Sequence, residues 1–166
     1  MTRTLAATLL LVVLAASISS QPLTIRMNCG SPLPYASPGG GPPWEPERPY
    51  NPLDPFPAGY VGGAAQPGLG VQLIGGTRDA ALFRDARRGM TAWRFNVPAG
   101  SYAVRLGLAE TEHHGPGFRV FSCTLEGVPA FTDLDLLAEH TRDYATTRRY
   151  LATVTDGVLD FEHFLI

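Results

Sequence analysis

Only two cysteines occur in the 166 residues, Cys29 and Cys123, and no clustered ligands stand near either. A structural zinc spacing is therefore absent, and no metal or other cofactor is expected. In an oxidising compartment two cysteines in one small domain read as a single disulfide, with two buried free thiols as the other reading. Asn28, Asn51 and Asn96 all fail the Asn-x-Ser/Thr pattern, so no N-glycosylation site is present. The formal net charge is only -2, and the arginine pairs Arg87-Arg88 and Arg148-Arg149 are isolated. With no basic stripe, nucleic acid is not an expected partner. No apolar run is long enough to span a bilayer comfortably. The longest, Leu5 to Ala16, follows the basic start Met1-Thr2-Arg3 and precedes small residues up to Ser20. That order is a secretory signal peptide over residues 1–19, cut after Ser19. The last six residues, Phe161 to Ile166, do not form an ER-retention tetrapeptide. The expected location is the secretory pathway, extracellular or in the ER lumen, with no membrane span after cleavage. No internal repeat is present.

What remains, residues 20–166, suffices for one domain with one core. Eleven of the fifteen prolines fall between Pro32 and Pro67, which excludes a long helix or a central strand there. Residues 31–70 read as a Pro/Gly-rich loop. It carries Tyr35, Trp44, Tyr50, Phe56 and Tyr60 and is expected to dock some of them on the rest of the domain. Short strand candidates follow one another: Leu23–Met27, Val71–Ile74, Ala92–Val97, Gly100–Glu110, Phe118–Leu125, Phe131–Leu137, Arg149–Val154 and Val158–Phe164. In the third of these, Trp93 and Phe95 alternate with Arg94 and Asn96, which makes Trp93 a core residue. In the fourth, Tyr102, Val104, Leu106 and Leu108 share one face, and Ala103, Arg105, Gly107 and Ala109 the other. Thr155-Asp156-Gly157 reads as a hairpin turn between the last two. The one helical candidate is a turn near Leu136 to His140. Many short strands with Gly/Pro turns predict an all-β domain: a jelly-roll-like β-sandwich of two antiparallel sheets. Phe95, Tyr102, Val104, Leu106, Leu108, Phe121 and Val154 are its expected core.

An ordered set of motifs resembles the malectin family of carbohydrate-binding β-sandwiches. It opens with Arg26-Met27-Asn28-Cys29-Gly30, similar to the form in plant malectin-like receptor domains. Gly75 to Asp79 with Leu82 to Arg87, Pro98 to Glu110, Arg119 to Phe121, Leu125 to Gly127, Asp135 and Asp156-Gly157 follow in family order. The resemblance implies a sugar site made by loop aromatics and one late aspartate. Tyr60 falls where one such tyrosine would be. Arg88 replaces a second, and Glu112 and His113 replace an aromatic pair. The late aspartate belongs to a final segment that this sequence is expected to lack, and the family's closing strand follows the Asp156-Gly157 turn. Either that strand is missing through truncation, which leaves an edge near Phe164 and Ile166 open to a protein partner, or Phe161 to Ile166 supply it.

Sugar binding needs a flat apolar surface for the C–H face of a pyranose and polar groups for its hydroxyls. Tyr60 is the candidate for the first, and Arg88, Glu112 and His113 for the second, with Trp44 and Tyr50 as substitute stacking residues. The expected partner is an oligosaccharide or glycoprotein glycan. His113 and His114, adjacent in an extended chain, point apart and are poorly placed to chelate together. Glu110, Asp133 and Asp135 show no paired spacing for glycoside hydrolysis. The implied function is a non-catalytic carbohydrate-binding module. The alternative is a protein-interaction sandwich that has lost the sugar site.

Overall fold

The structure is a computed structural model that describes residues 23–54, 58–68 and 71–165. The expected signal peptide, Phe56 and Ile166 lie outside these residues. The strands are β1 (Met27–Asn28), β2 (Glu45–Pro46), β3 (Ala58–Gln66), β4 (Ala86–Asn96), β5 (Gly100–Leu108), β6 (Phe121–Leu125), β7 (Val128–Leu134), β8 (Thr146–Val154) and β9 (Val158–Leu165). One four-residue helix, α1 (Leu136–Glu139), stands at the expected helical turn. None of the helices among the described residues is long and apolar enough to cross a membrane.

Two antiparallel sheets face each other. The larger has the order β3-β4-β9-β6-β7, and the smaller is the ribbon β5-β8, paired from Gly100↔Val154 to Leu108↔Thr146. β1 and β2 form a short parallel pair beside them. Successive side chains on a strand point to opposite faces, so each strand contributes every second residue to the interior. Trp93 on β4, Cys123 and Leu125 on β6, Ala152 and Val154 on β8, and Leu159 and Phe161 on β9 make the core. Phe95, Tyr102, Val104 and Leu106 pack against it. Phe121, Leu134 and Leu136, with Leu108 beside them, extend the apolar contact at one end. The expected all-β sandwich and its expected core residues are therefore present.

Several local expectations change. Thr155-Asp156-Gly157 does not close a hairpin: β8 belongs to the ribbon and β9 to the larger sheet, so this turn carries the chain from one sheet to the other. The true two-residue hairpin is Glu126-Gly127 between β6 and β7. Both residues have positive φ, 53° and 70°, as a type I′ turn requires. β9 runs between β4 and β6, and Phe164 pairs with Ser122, so the backbone there is not an open edge. Val71 to Ile74 form no strand. Within the proline-rich region, the proline-free stretch Ala58 to Gln66 forms β3 at the edge of the larger sheet. The preceding segment docks on the sandwich through its aromatics. The Tyr50 hydroxyl hydrogen-bonds Asn96 Oδ1 at 2.5 Å, and the Tyr35 hydroxyl donates to Asp79 at 3.2 Å.

The disulfide expected between Cys29 and Cys123 is absent, and both are free thiols. Register explains why. Gly30 lies against the first residue of β4, so closely that a Cβ on it would come 2.4 Å from the Ala86 nitrogen. Thr124, next to Cys123, stands level with Ala92 through Glu162. From Ala86 to Ala92 is roughly 20 Å of strand. A disulfide needs Cα atoms within about 7 Å. Cys29 is exposed, whereas Cys123 is in the core, where burial, with Glu162 adding, pushes its thiol up to about 12.

Candidate functional site

The strand β5 ends at Leu108, and the loop that follows is organised around one carboxylate. Glu110 is only 3% exposed. Its Oε1 accepts the backbone N–H groups of Glu112 and His113 at 2.8 and 3.0 Å, and its Oε2 faces Arg119 Nη1 at 2.9 Å. A buried carboxylate requires such partners, and here they fix the loop backbone. Arg119 continues through Nη2 to Glu112 Oε2 at 2.7 Å, and the same oxygen accepts from Arg88. Arg88 comes from β4, beside the irregular pairing at Gly62, Gly63 and Gly89, all with positive φ. Gly63 is required there, since a Cβ would sit 2.5 Å from the Arg88 carbonyl oxygen.

The structure brings Arg88, Glu112 and His113 onto one loop surface and sets two further residues beside them. Arg119 is one. Phe118 is the other: it was expected to start a strand, but β6 begins at Phe121. The Gly115-Pro116-Gly117 turn leaves Phe118 72% exposed. Its ring stacks on His113 with centroids 5.7 Å apart and planes 12° from parallel. The flanking glycines were the available signal that Phe118 sits in a loop. Gly117 is held by Asp135, which also caps α1 through the Leu137 and Ala138 N–H groups. His114 diverges from His113 and meets Arg142 at 3.0 Å. Among the described residues, no three His, Cys, Asp or Glu side chains form a metal-ligand group.

Tyr60 is placed elsewhere. The Arg87 guanidinium lies 3.3 Å from its ring centroid, and Trp93 meets it edge-on at 6.1 Å. Arg87 is held in turn by Glu47 at 2.5 and 2.9 Å, each side chain only 5% exposed. Tyr60 therefore has a packing role and offers no open ring face on the Arg87 side. Trp44 is also away from the loop surface. It lines a separate groove with Thr77, Asp79, Phe83, Arg105 and Thr147. Tyr50 is taken up by Asn96 and lies near Arg94. Of the predicted group, the structure unites three residues and separates Tyr60 and Trp44.

The fold is shared with solved structures of low identity. A Bacteroides uniformis β-glucuronidase 2 calcium-binding mutant superposes with TM-score 0.77 at 23% identity, over 87% of this chain and 16% of that chain. The ANXUR2 extracellular domain of Arabidopsis thaliana superposes with TM-score 0.69 at 19% identity, over 84% of this chain and 42% of that one. A structure of the plant peptide RALF23 with FER and LLG2 gives TM-score 0.69 at 17% identity, over 84% of this chain and 42% of the matched chain. This chain spans well under half the length of each. Among curated protein sequences, none matches it significantly. The sequence profile of the malectin domain matches residues 69–165, more than half of the chain, and the chain belongs to that family.

Proposed function

We propose that this chain is a secreted or lumenal, non-catalytic carbohydrate-binding module that holds a glycan on the loop surface of Phe118, His113, Arg88 and Glu112. The observation that carries this reading is Phe118: a largely exposed ring, backed by His113, beside a fixed row of charged groups. An exposed aromatic face suits the C–H face of a pyranose. Glu112 can accept from a sugar hydroxyl, and Arg88 and Arg119 can donate to its oxygens. Because Glu110 already orders the loop, little ordering remains to be done on binding. Two of the three carboxylates considered for hydrolysis are committed elsewhere, Glu110 to Arg119 and the loop amides and Asp135 to the α1 cap. That supports binding over catalysis. The extracellular ANXUR2 domain of the same fold agrees with a secretory location.

A second reading, a protein-interaction sandwich, draws on the same site. Arg88 and Glu112 satisfy each other, which leaves fewer free groups for hydroxyls than an aromatic site would. A glycan array with the secreted protein and its Phe118→Ala variant separates the two. The carbohydrate reading expects a saccharide signal that the variant loses about three- to tenfold, the worth of one aromatic contact. No saccharide signal, with capture of a secreted protein through the same loop, would establish the second reading instead.

A further inference from the structure

The outer face of the β5-β8 ribbon carries two arginines that form no ion pair among the described residues. Arg105 and Arg149 stand directly opposite each other in the ribbon register, and both are exposed. Neither has a hydrogen bond or ion pair among the described residues, whereas the adjacent Arg148 is paired with Glu139. Like charges directly opposed on one face of a strand pair destabilise it, with Cβ atoms about 5 Å apart. Arg105 also borders a groove of about 130 Å³ lined by Trp44, Phe83, Asp79, Thr77 and Thr147. Gly107 keeps that groove open, because a Cβ there would come 3.0 Å from the Phe83 ring. Asp79 is oriented by the Tyr35 hydroxyl at 3.2 Å. An engineered cavity of about 150 Å³ holds a benzene ring, so this groove is on the scale of one six-membered ring.

The lining has the parts that one sugar residue uses. Trp44 and Phe83 offer apolar surface, and Asp79 with the two threonines offers acceptors and donors for hydroxyls. The arginine pair adds a demand for negative charge that a neutral sugar does not meet. We propose that this face is a second binding site, for a single acidic sugar residue: a pyranose bearing a carboxylate or a sulfate. The anionic group lies between Arg105 and Arg149, and the ring lies in the groove. Arginine suits this role because its planar fork pairs such groups through two hydrogen bonds at once. The inference does not rest on the loop surface at Phe118.

Heteronuclear NMR titration tests it, using a methyl glucuronide, a sulfated methyl glucoside, methyl glucoside and inorganic sulfate. At least one of the two acidic sugars should shift the amides of Arg105, Gly107, Thr147 and Arg149. Which of them does so identifies the acid. Methyl glucoside and sulfate should each bind at least about tenfold more weakly, the worth of one charged hydrogen bond. The double variant Arg105→Ala/Arg149→Ala should lose the shifts with its spectrum otherwise folded. Gly107→Val should lose the sugar while keeping weak sulfate binding, and Phe118→Ala should change nothing here. The proposal is overturned if no acidic sugar shifts the ribbon, if methyl glucoside or sulfate binds as tightly as the acidic sugars, or if the double variant still binds.

Discussion

The two faces of this sandwich use arginine in opposite ways, and the contrast is informative because the sequence contains no lysine. In one region each arginine meets a carboxylate: Arg88 meets Glu112 and Arg119 meets Glu110 and Glu112 in the loop after β5, and Arg87, beside Tyr60, meets Glu47. On the β5-β8 ribbon, Arg105 and Arg149 make no ion pair among the described residues. A paired guanidinium is spent on holding the chain in place, so the loop end is ordered before any ligand arrives. An unpaired one retains its full hydrogen-bonding capacity and its cost to the strand pair. The difference separates a region whose arginines fix the backbone from a surface whose arginines stay unpaired among the described residues.

The largest expected effect comes from removing a partner in the paired region. Glu47→Ala leaves Arg87 uncompensated in a nearly closed site and also frees the Gly30 amide, which Glu47 accepts at 2.7 Å. Chemical denaturation should show a loss of about 3–5 kcal/mol. A loss below that found for surface substitutions would mean that the Arg87–Glu47 pair does not anchor the proline-rich segment. Glu110→Gln is expected to be the next in size, about 1–3 kcal/mol, since Arg119 and the loop amides keep only a neutral partner. The variant should also weaken saccharide binding, because the platform loosens. Phe118→Ala should leave the stability within about 0.5 kcal/mol of the parent, as suits an exposed ring, while lowering saccharide affinity. The smallest effect belongs to the unpaired region. Arg149→Thr removes a like-charge neighbour and should change stability by no more than about 0.5 kcal/mol, with a gain as the expected direction. A clear destabilisation measured by thermal unfolding would show that Arg149 is a structural residue after all.

Much of the fold could be read from side-chain alternation. Tyr102, Val104 and Leu106 repeat with a period of two, and they do face the core from β5. Turn chemistry was a poorer guide, because Asp156-Gly157 marks a tight reversal without saying whether the flanking strands pair with each other or change sheets. Here their inward faces pack across the core, and the real hairpin is the less obvious Glu126-Gly127. The cysteines misled for a related reason: their pairing depends on register across three strands, which no local pattern encodes. Family position gathers Arg88, Glu112 and His113, and the structure sets them on one loop surface. Tyr60 stands apart from them, with one ring face covered by Arg87, a residue distant in sequence. Phe118 reads as strand because an apolar residue before Val120 and Phe121 extends a strand pattern. Gly115 and Gly117 are the sequence signal against that reading, and the turn they make leaves Phe118 exposed.

The central claim, a glycan held at the loop surface, is tested most directly by hydrogen exchange with and without the saccharide that scores highest on the array. Protection should rise at the backbone amides from Thr111 to Phe118. Unchanged exchange in that segment at saturating saccharide would contradict the account.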